Sequence, residues 1–177
     1  MKLYIKLLLF AGIMYIVFIG IYSVLFRNTE YTFLDVVTSG LLFGITMSIG
    51  LGSTHYFAIR EIRSDSSNSK STVHQSREIN LNVPIGKDHE LCIESLKFIK
   101  KGKLLKNDNT NGIIEAKAGL TWKTFGDRIK FNLKKTDGHT TLIEVSSKPL
   151  LKITLVDYGK NLENVNKIED YLINKST

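Results

Sequence analysis

From Leu7 to Phe26 the chain runs without a charged side chain, and Ser23 is the most polar residue in the stretch. At 1.5 Å per residue such a run makes about 30 Å of helix, the thickness of a bilayer's hydrocarbon core. A short polar turn follows, Arg27-Asn28-Thr29-Glu30, and then a second apolar run from about Phe33 to Ile59. Thr32 and Asp35 have the spacing of a capping box, which starts this second helix and leaves the aspartate at the water interface beside the positive helix end. The run exceeds the bilayer thickness, so the helix tilts or projects. A cleaved signal peptide is the rival for the first run. Its apolar stretch would be about 7–15 residues and end in a small-residue cleavage site. This one is longer, passes into Tyr22, Leu25 and Phe26, and has neither an A-x-A pattern nor a lipoprotein cysteine. The pattern predicts a two-helix transmembrane hairpin over residues 1–62, with spans at about 7–26 and 33–59.

Gly40, Gly44, Ser48 and Gly52 recur every four residues along the second helix. Spans in lipid associate by close backbone approach along small-residue faces of this kind. The stripe can pack on the first helix of the same chain, where Gly12 and Gly20 are small, or on a second copy or a larger membrane partner. Neither span carries a central Asp, Glu, Lys or Arg, which argues against an ion or proton pathway. Lys2 and Lys6 flank the first span, Arg27 stands alone in the connecting loop, and Arg60, Arg63, Lys70 and Arg77 follow the second. By the positive-inside rule both termini lie in the cytoplasm, giving a multi-pass protein of the cytoplasmic (inner) membrane.

Residues 63–76 are polar, with Val73 the one strongly apolar side chain, and are expected to form a flexible linker. The remainder, 77–177, is long enough for one core. Ile79 to Val83 alternates as a strand and Pro84 ends it. Asp88 to Lys100 reads as a helix with Cys92, Leu96 and Ile99 on one face, flanked by Leu91 and Phe98, with Phe98 expected in the core. Asn111-Gly112 turns into the strand Ile113 to Lys117, and Arg128 to Lys134 alternates through Ile129, Phe131 and Leu133. Asp137-Gly138 is a hairpin signal leading to a strand over Thr140 to Ser146. Asn161 is placed to cap a last helix carrying Leu162, Val165, Ile168 and Leu172. Strand, helix, at least three consecutive strands and a helix make an α+β domain: an antiparallel sheet with two helices on one face.

Composition sharpens the division. The chain of 177 residues holds 24 basic and 17 acidic side chains, a net charge of +7, and only Lys2, Lys6, Arg27, Arg60, Glu30 and Asp35 of these lie before residue 61. The chain is therefore neither one soluble domain nor disordered. Its single cysteine, Cys92, fits a reducing compartment. The surplus of the C-terminal domain is modest and the one aromatic interleaved with its lysines, Phe98, is expected in the core, so nucleic acid is not an expected partner.

The stretch Gly112-Ile113-Ile114-Glu115-Ala116, then Trp122, Phe125-Gly126-Asp127, Thr141 to Ser147 and Asp157-Tyr158-Gly159-Lys160-Asn161, resembles a group of small bacterial domains of unknown function. They share a G-x-I-E-A strand, an aromatic and glycine segment, a strand ending near serine, and D-x-G-x-N before the last helix. The likeness spans about residues 112–173. It implies a domain type and no activity.

Candidate chemistry is sparse. His89 and Cys92 lie three apart on a helix, half of a metal site, with no further His or Cys nearby. Ser146, His139 and Asp157 supply the residue types of a hydrolytic triad without the strained nucleophile turn that would support one. Catalytic, cofactor and metal residues are accordingly read as none. Lys97, Lys100, Lys101, Lys103 and Lys106 form the densest basic run, and the first four are the candidates for anionic lipid contact. Trp122, Asp157, Tyr158 and Asn161 are the candidates for ligand or partner contact if their two segments converge; structural turn and cap roles are the plainer alternative. Three functional classes remain open: a membrane-anchored interaction module binding a protein partner or an anionic lipid surface, an accessory subunit of a larger membrane complex docked through Gly40 to Gly52, and a tethered small-ligand or enzymatic domain.

Overall fold

The computed structural model describes residues 2–26, 31–62, 72–83, 86–136 and 140–176. It divides into two compact units, Met1–Phe57 and Ala58–Thr177.

The first unit is built from α1 (Lys2–Phe26) and α2 (Phe33–Ile62), whose last turn belongs to the second unit. Both helices are long and apolar enough to cross a membrane. At their mutual contact a Cβ added to Gly44 would lie 2.6 Å from the Leu8 carbonyl oxygen, and one added to Gly12 would lie 3.0 Å from that of Gly40. The Ile16 side chain fills the space at Gly40, the Tyr4 ring the space at Gly52, and the Ser48 hydroxyl donates to the Tyr4 carbonyl at 2.7 Å. Small residues are needed here because backbone sits against backbone. Gly20, the other small position on α1, has nothing within 4 Å. The capping box forms: the Asp35 N–H donates to Thr32 Oγ1 at 3.2 Å and the Thr32 N–H to Asp35 Oδ2 at 3.0 Å. The turn Arg27 to Glu30 lies outside the described residues.

In the second unit β1 (Gln75–Asn82), α3 (Lys87–Ser95), β2 (Lys103–Asp108), β3 (Ile113–Ala118), β4 (Asp127–Lys135), β5 (Thr140–Pro149) and α4 (Lys160–Ser176) follow in order. The strands form one antiparallel sheet in the order β1-β5-β4-β3-β2. The chain crosses from one edge to the other through α3, then meanders back until β5 pairs with β1. Both helices lie on one face. Ile79, Leu81, Ile114, Ile129, Phe131, Ile143 and Val145 point from the sheet toward Val165, Ile168 and Leu172 of α4 and Leu91 and Cys92 of α3, all of them buried. Each fully buried side chain of this kind contributes about 1.5–3 kcal/mol.

Three expectations are corrected. The helix read as Asp88 to Lys100 ends at Ser95 and tightens into a 3-10 turn, Leu96–Phe98. That turn swings Phe98 out of the core: it is exposed and packs on Tyr171, ring centroids 4.9 Å apart. The segment after it forms β2, an edge strand the sequence pattern did not reveal. β1 also begins at Gln75, inside the stretch 63–76 read as linker. Of that stretch 63–71 lies outside the described residues, as do Pro84 and the hairpin signal Asp137-Gly138.

Candidate functional site

The registers bring several loops to one end of the sheet. Gln75 pairs with Ser147, Asp127 with both Pro149 and Ala118, and Lys117 with Lys103. The segments before β1 and β2, the β3–β4 loop (119–126) and the β5–α4 loop (150–159) therefore meet there. Trp122 and Asp157-Tyr158-Gly159 lie in the last two of these and converge, and Lys160-Asn161 open α4 directly after them.

A buried polar chain underlies them. Asn164 Nδ2 on α4 donates to Asp127 Oδ2 at the start of β4 (3.1 Å) and to Ser147 Oγ on β5 (3.2 Å). Ser147 Oγ donates to Asn161 Oδ1 at 2.7 Å, and Asn161 Nδ2 donates to Asp157 Oδ2 at 2.8 Å. Asp157 also accepts the backbone N–H groups of Gly159 (3.2 Å) and Asn161 (2.9 Å). The helix start is thus satisfied by Asp157, and Asn161, read as the cap, instead links that carboxylate to the sheet. Tyr158 and Gly159 take positive φ, 48° and 73°, to make the turn; such a conformation is costly for tyrosine and persists because the surroundings fix it. Burial pushes the Asp127 carboxyl above its ordinary range, against hydrogen bonds from Thr124 and Asn164 that pull it down.

Above this chain the Trp122 indole stacks on the Tyr158 ring, centroids 5.6 Å apart and planes 29° from parallel. The Thr121 hydroxyl accepts the N–H groups of Lys123 and Thr124, a tight turn that turns Trp122 outward. Trp122 is 81% exposed. The Lys123 ammonium lies 5.6 Å from the indole centroid and 3.9 Å from Glu163, which Lys160 and Lys167 also contact. Burial raises the Glu163 carboxyl, but its lysine hydrogen bonds outweigh this and hold it below the ordinary range. Leu120, Phe125, Leu150, Leu151 and Ile153 are exposed around the pair. A cleft of about 310 Å³ opens beside them between Val73, Arg128, Lys148 and Lys152.

The lysine run divides. The Lys100 carbonyl accepts the Gly119 N–H and the Lys101 side chain covers Gly119, so Lys100, Lys101 and Lys103 belong to this same end. Lys97 is paired instead with Glu94 at 3.6 Å, and Lys106 with Asp108 at 3.1 Å, on the strand beyond. Cys92 is fully buried, and burial, with the Asp88 carboxylate, raises its thiol far above the ordinary range. His89 is buried beside Asp88, whose carboxylate accepts the Thr141 hydroxyl at 2.8 Å. Among the described residues no three His, Cys, Asp or Glu side chains form a group able to hold a metal. Ser146 contacts the Lys130 carbonyl at 3.5 Å and Asp157 is occupied with its turn, so these two do not form a reactive pair; His139 lies outside the described residues.

Sequence reasoning missed Asn164, Ser147 as a buried hydroxyl, and the exposed apolar residues flanking Trp122. The signal for Asn164 was present. Asn161, Asn164, Ile168 and Leu172 follow one another at helical spacing, which puts two amides on the buried stripe.

No protein-family model matches the chain, and no curated protein resembles it in sequence. Among solved structures, the Zhui aromatase/cyclase of Streptomyces sp. R1128 is similar over 58% of this chain and 92% of its own, with TM-score 0.43 and 8% identity. An uncharacterised protein of Bacillus thuringiensis is similar over 56% and 98%, with TM-score 0.38 and 10% identity. Ara h 8.0201 is similar over 57% and 97%, with TM-score 0.37 and 12% identity.

Proposed function

We propose that the chain is a membrane-anchored, non-enzymatic protein whose helical hairpin holds an α+β interaction module at the cytoplasmic face of the inner membrane. The module engages a protein partner or an anionic lipid surface. The observation that carries this reading is the group of aromatic and aliphatic side chains held exposed at one end of the sheet over a buried polar chain. An apolar group of this kind, ordered from beneath and rimmed by charge, is what a binding surface requires and what a solvated loop end does not.

The anchor is supported by the outer faces of α1 and α2. Leu9, Phe10, Ile13, Phe18, Leu42 and Ile49 are exposed on two helices that already use their small residues to pack together. A water-soluble hairpin would place polar side chains there. Cytoplasmic placement rests on the excess of lysine and arginine at both termini of the hairpin.

The test compares the full-length wild type with Trp122→Ala/Phe125→Ala after extraction from native membranes in mild detergent. The reading expects a stoichiometric protein or anionic phospholipid retained by the wild type and lost from the variant. Equal retention by both, or turnover abolished by a single side-chain change, would overturn it.

A further inference from the structure

We infer that the exposed loops at the start of β4 and the end of β5 seat in the interfacial layer of the membrane that holds the hairpin, so that the domain lies on its own bilayer. This deepens the proposed function and rests on the membrane-anchor reading. The first ground is chain geometry. The second unit begins at Ala58 and so includes the last turn of α2. Gly159 lies against that turn: a Cβ there would be 2.6 Å from Ile62 Cδ1 and 3.6 Å from the Ala58 carbonyl oxygen. Gly159 follows Tyr158, on which Trp122 stacks. The helix that leaves the apolar span thus enters the domain at the same end that carries Trp122, and β1, the next described strand, starts from that end too.

The second ground is composition. Leu120, Trp122, Phe125, Leu150, Leu151 and Ile153 are 39–81% exposed, and all of them sit in the two loops at this end. Tryptophan and flanking lysines are the residues that headgroup regions favour, the indole at the boundary and the lysine stems extending to phosphate. Lys101, Lys103, Arg128, Lys148 and Lys152 are exposed around the loops. Protein interface cores are depleted in lysine, whereas an anionic leaflet attracts it. Charge complementarity therefore favours lipid as the occupant.

Trp122 is the only tryptophan in the chain, so its fluorescence reports on this surface alone. The experiment reconstitutes the full chain into vesicles of zwitterionic and anionic phospholipid, with and without bromine on the acyl chains, and washes them at alkaline pH. The inference expects retention in the vesicles, at least about twofold loss of Trp122 emission with brominated lipid, and shielding from aqueous acrylamide. Leu151→Lys/Ile153→Lys, both at exposed positions, should restore most of the emission. A chain retained after washing, but with Trp122 unquenched by bromine and open to acrylamide, would overturn the inference and leave the anchor standing; the surface would then belong to a protein or a second copy. A chain released by the wash would overturn the anchor and the inference together.

Discussion

Asn164 Nδ2 donates to Asp127 Oδ2 at 3.1 Å, joining α4 to the first residue of β4. The other oxygens of the pair, Asp127 Oδ1 and Asn164 Oδ1, are buried without a hydrogen-bond partner among the described residues. Two acceptors face a shortage of donors, and burial already raises the Asp127 carboxyl. The folded chain holds this proton more tightly than the unfolded one. Stability contributed by the protonated form is therefore present below the unfolded value and lost as pH rises through the folded value. Asp127→Asn supplies a donor and removes the charge. Wild-type stability relative to Asp127→Asn should fall as pH rises above the ordinary carboxylate value of about 4, measured by denaturant titration of the full chain in detergent. Parallel profiles for the two proteins would show that Asp127 is not the group responsible.

Asp157 accepts hydrogen bonds from the Gly159 and Asn161 N–H groups and from the Asn161 side chain. Asp157→Ala leaves these donors buried and unpaired, at a cost of about 1–3 kcal/mol. The strained turn at Tyr158 then loses its support, so Trp122 emission should shift in the folded variant as well. An unchanged unfolding midpoint would contradict the capping role.

The two helices of the first unit discriminate between glycines. A Cβ at Gly44 meets backbone at 2.6 Å, whereas one at Gly50 meets nothing within 4 Å. Gly44→Leu should destabilise the helix pair by about 1–3 kcal/mol through overpacking. Gly50→Ala should be neutral or stabilising by up to about 1 kcal/mol, since alanine is the better helix former. Denaturation in mixed micelles, followed by circular dichroism, separates the two. Equal effects would mean that the stripe is not the contact.

Cys92, the single cysteine, is fully buried and its thiol is raised by burial. Alkylation at about pH 8 should be slowed at least about 100-fold relative to the denatured chain, because the site reacts only on opening. Labelling at the rate of a free thiol would contradict the packed core between α3 and the sheet.

Much of this architecture is legible along the chain because it follows local periods. The alternation of Ile129, Phe131 and Leu133 gives β4, the Thr32–Asp35 spacing gives the start of α2, and the uncharged runs give both apolar helices. β2 is silent for a physical reason: as an edge strand it has no covered face, and Lys103 to Asn107 are exposed without alternation. Phe98 misleads because its hydrophobicity is local information, whereas its direction depends on the 3-10 turn that ends α3. The candidate surface is half legible. Trp122 and Asp157 to Asn161 stand out as residue types, but Ser147, Asn164 and Asp127 become a single chain of hydrogen bonds only when β4, β5 and α4 are brought together. Polar residues in strands ordinarily face water, and only the tertiary partner reveals that these do not.

The central claim is a cytoplasmic module held by a membrane hairpin, and protease protection on oriented vesicles tests it most directly. Membranes containing the full chain are prepared inside-out and right-side-out, washed at alkaline pH and treated with protease. The account predicts that the chain stays with the membrane after the wash, and that the domain is digested only in inside-out vesicles. Release by the wash, or digestion of the domain in intact right-side-out vesicles, would contradict it.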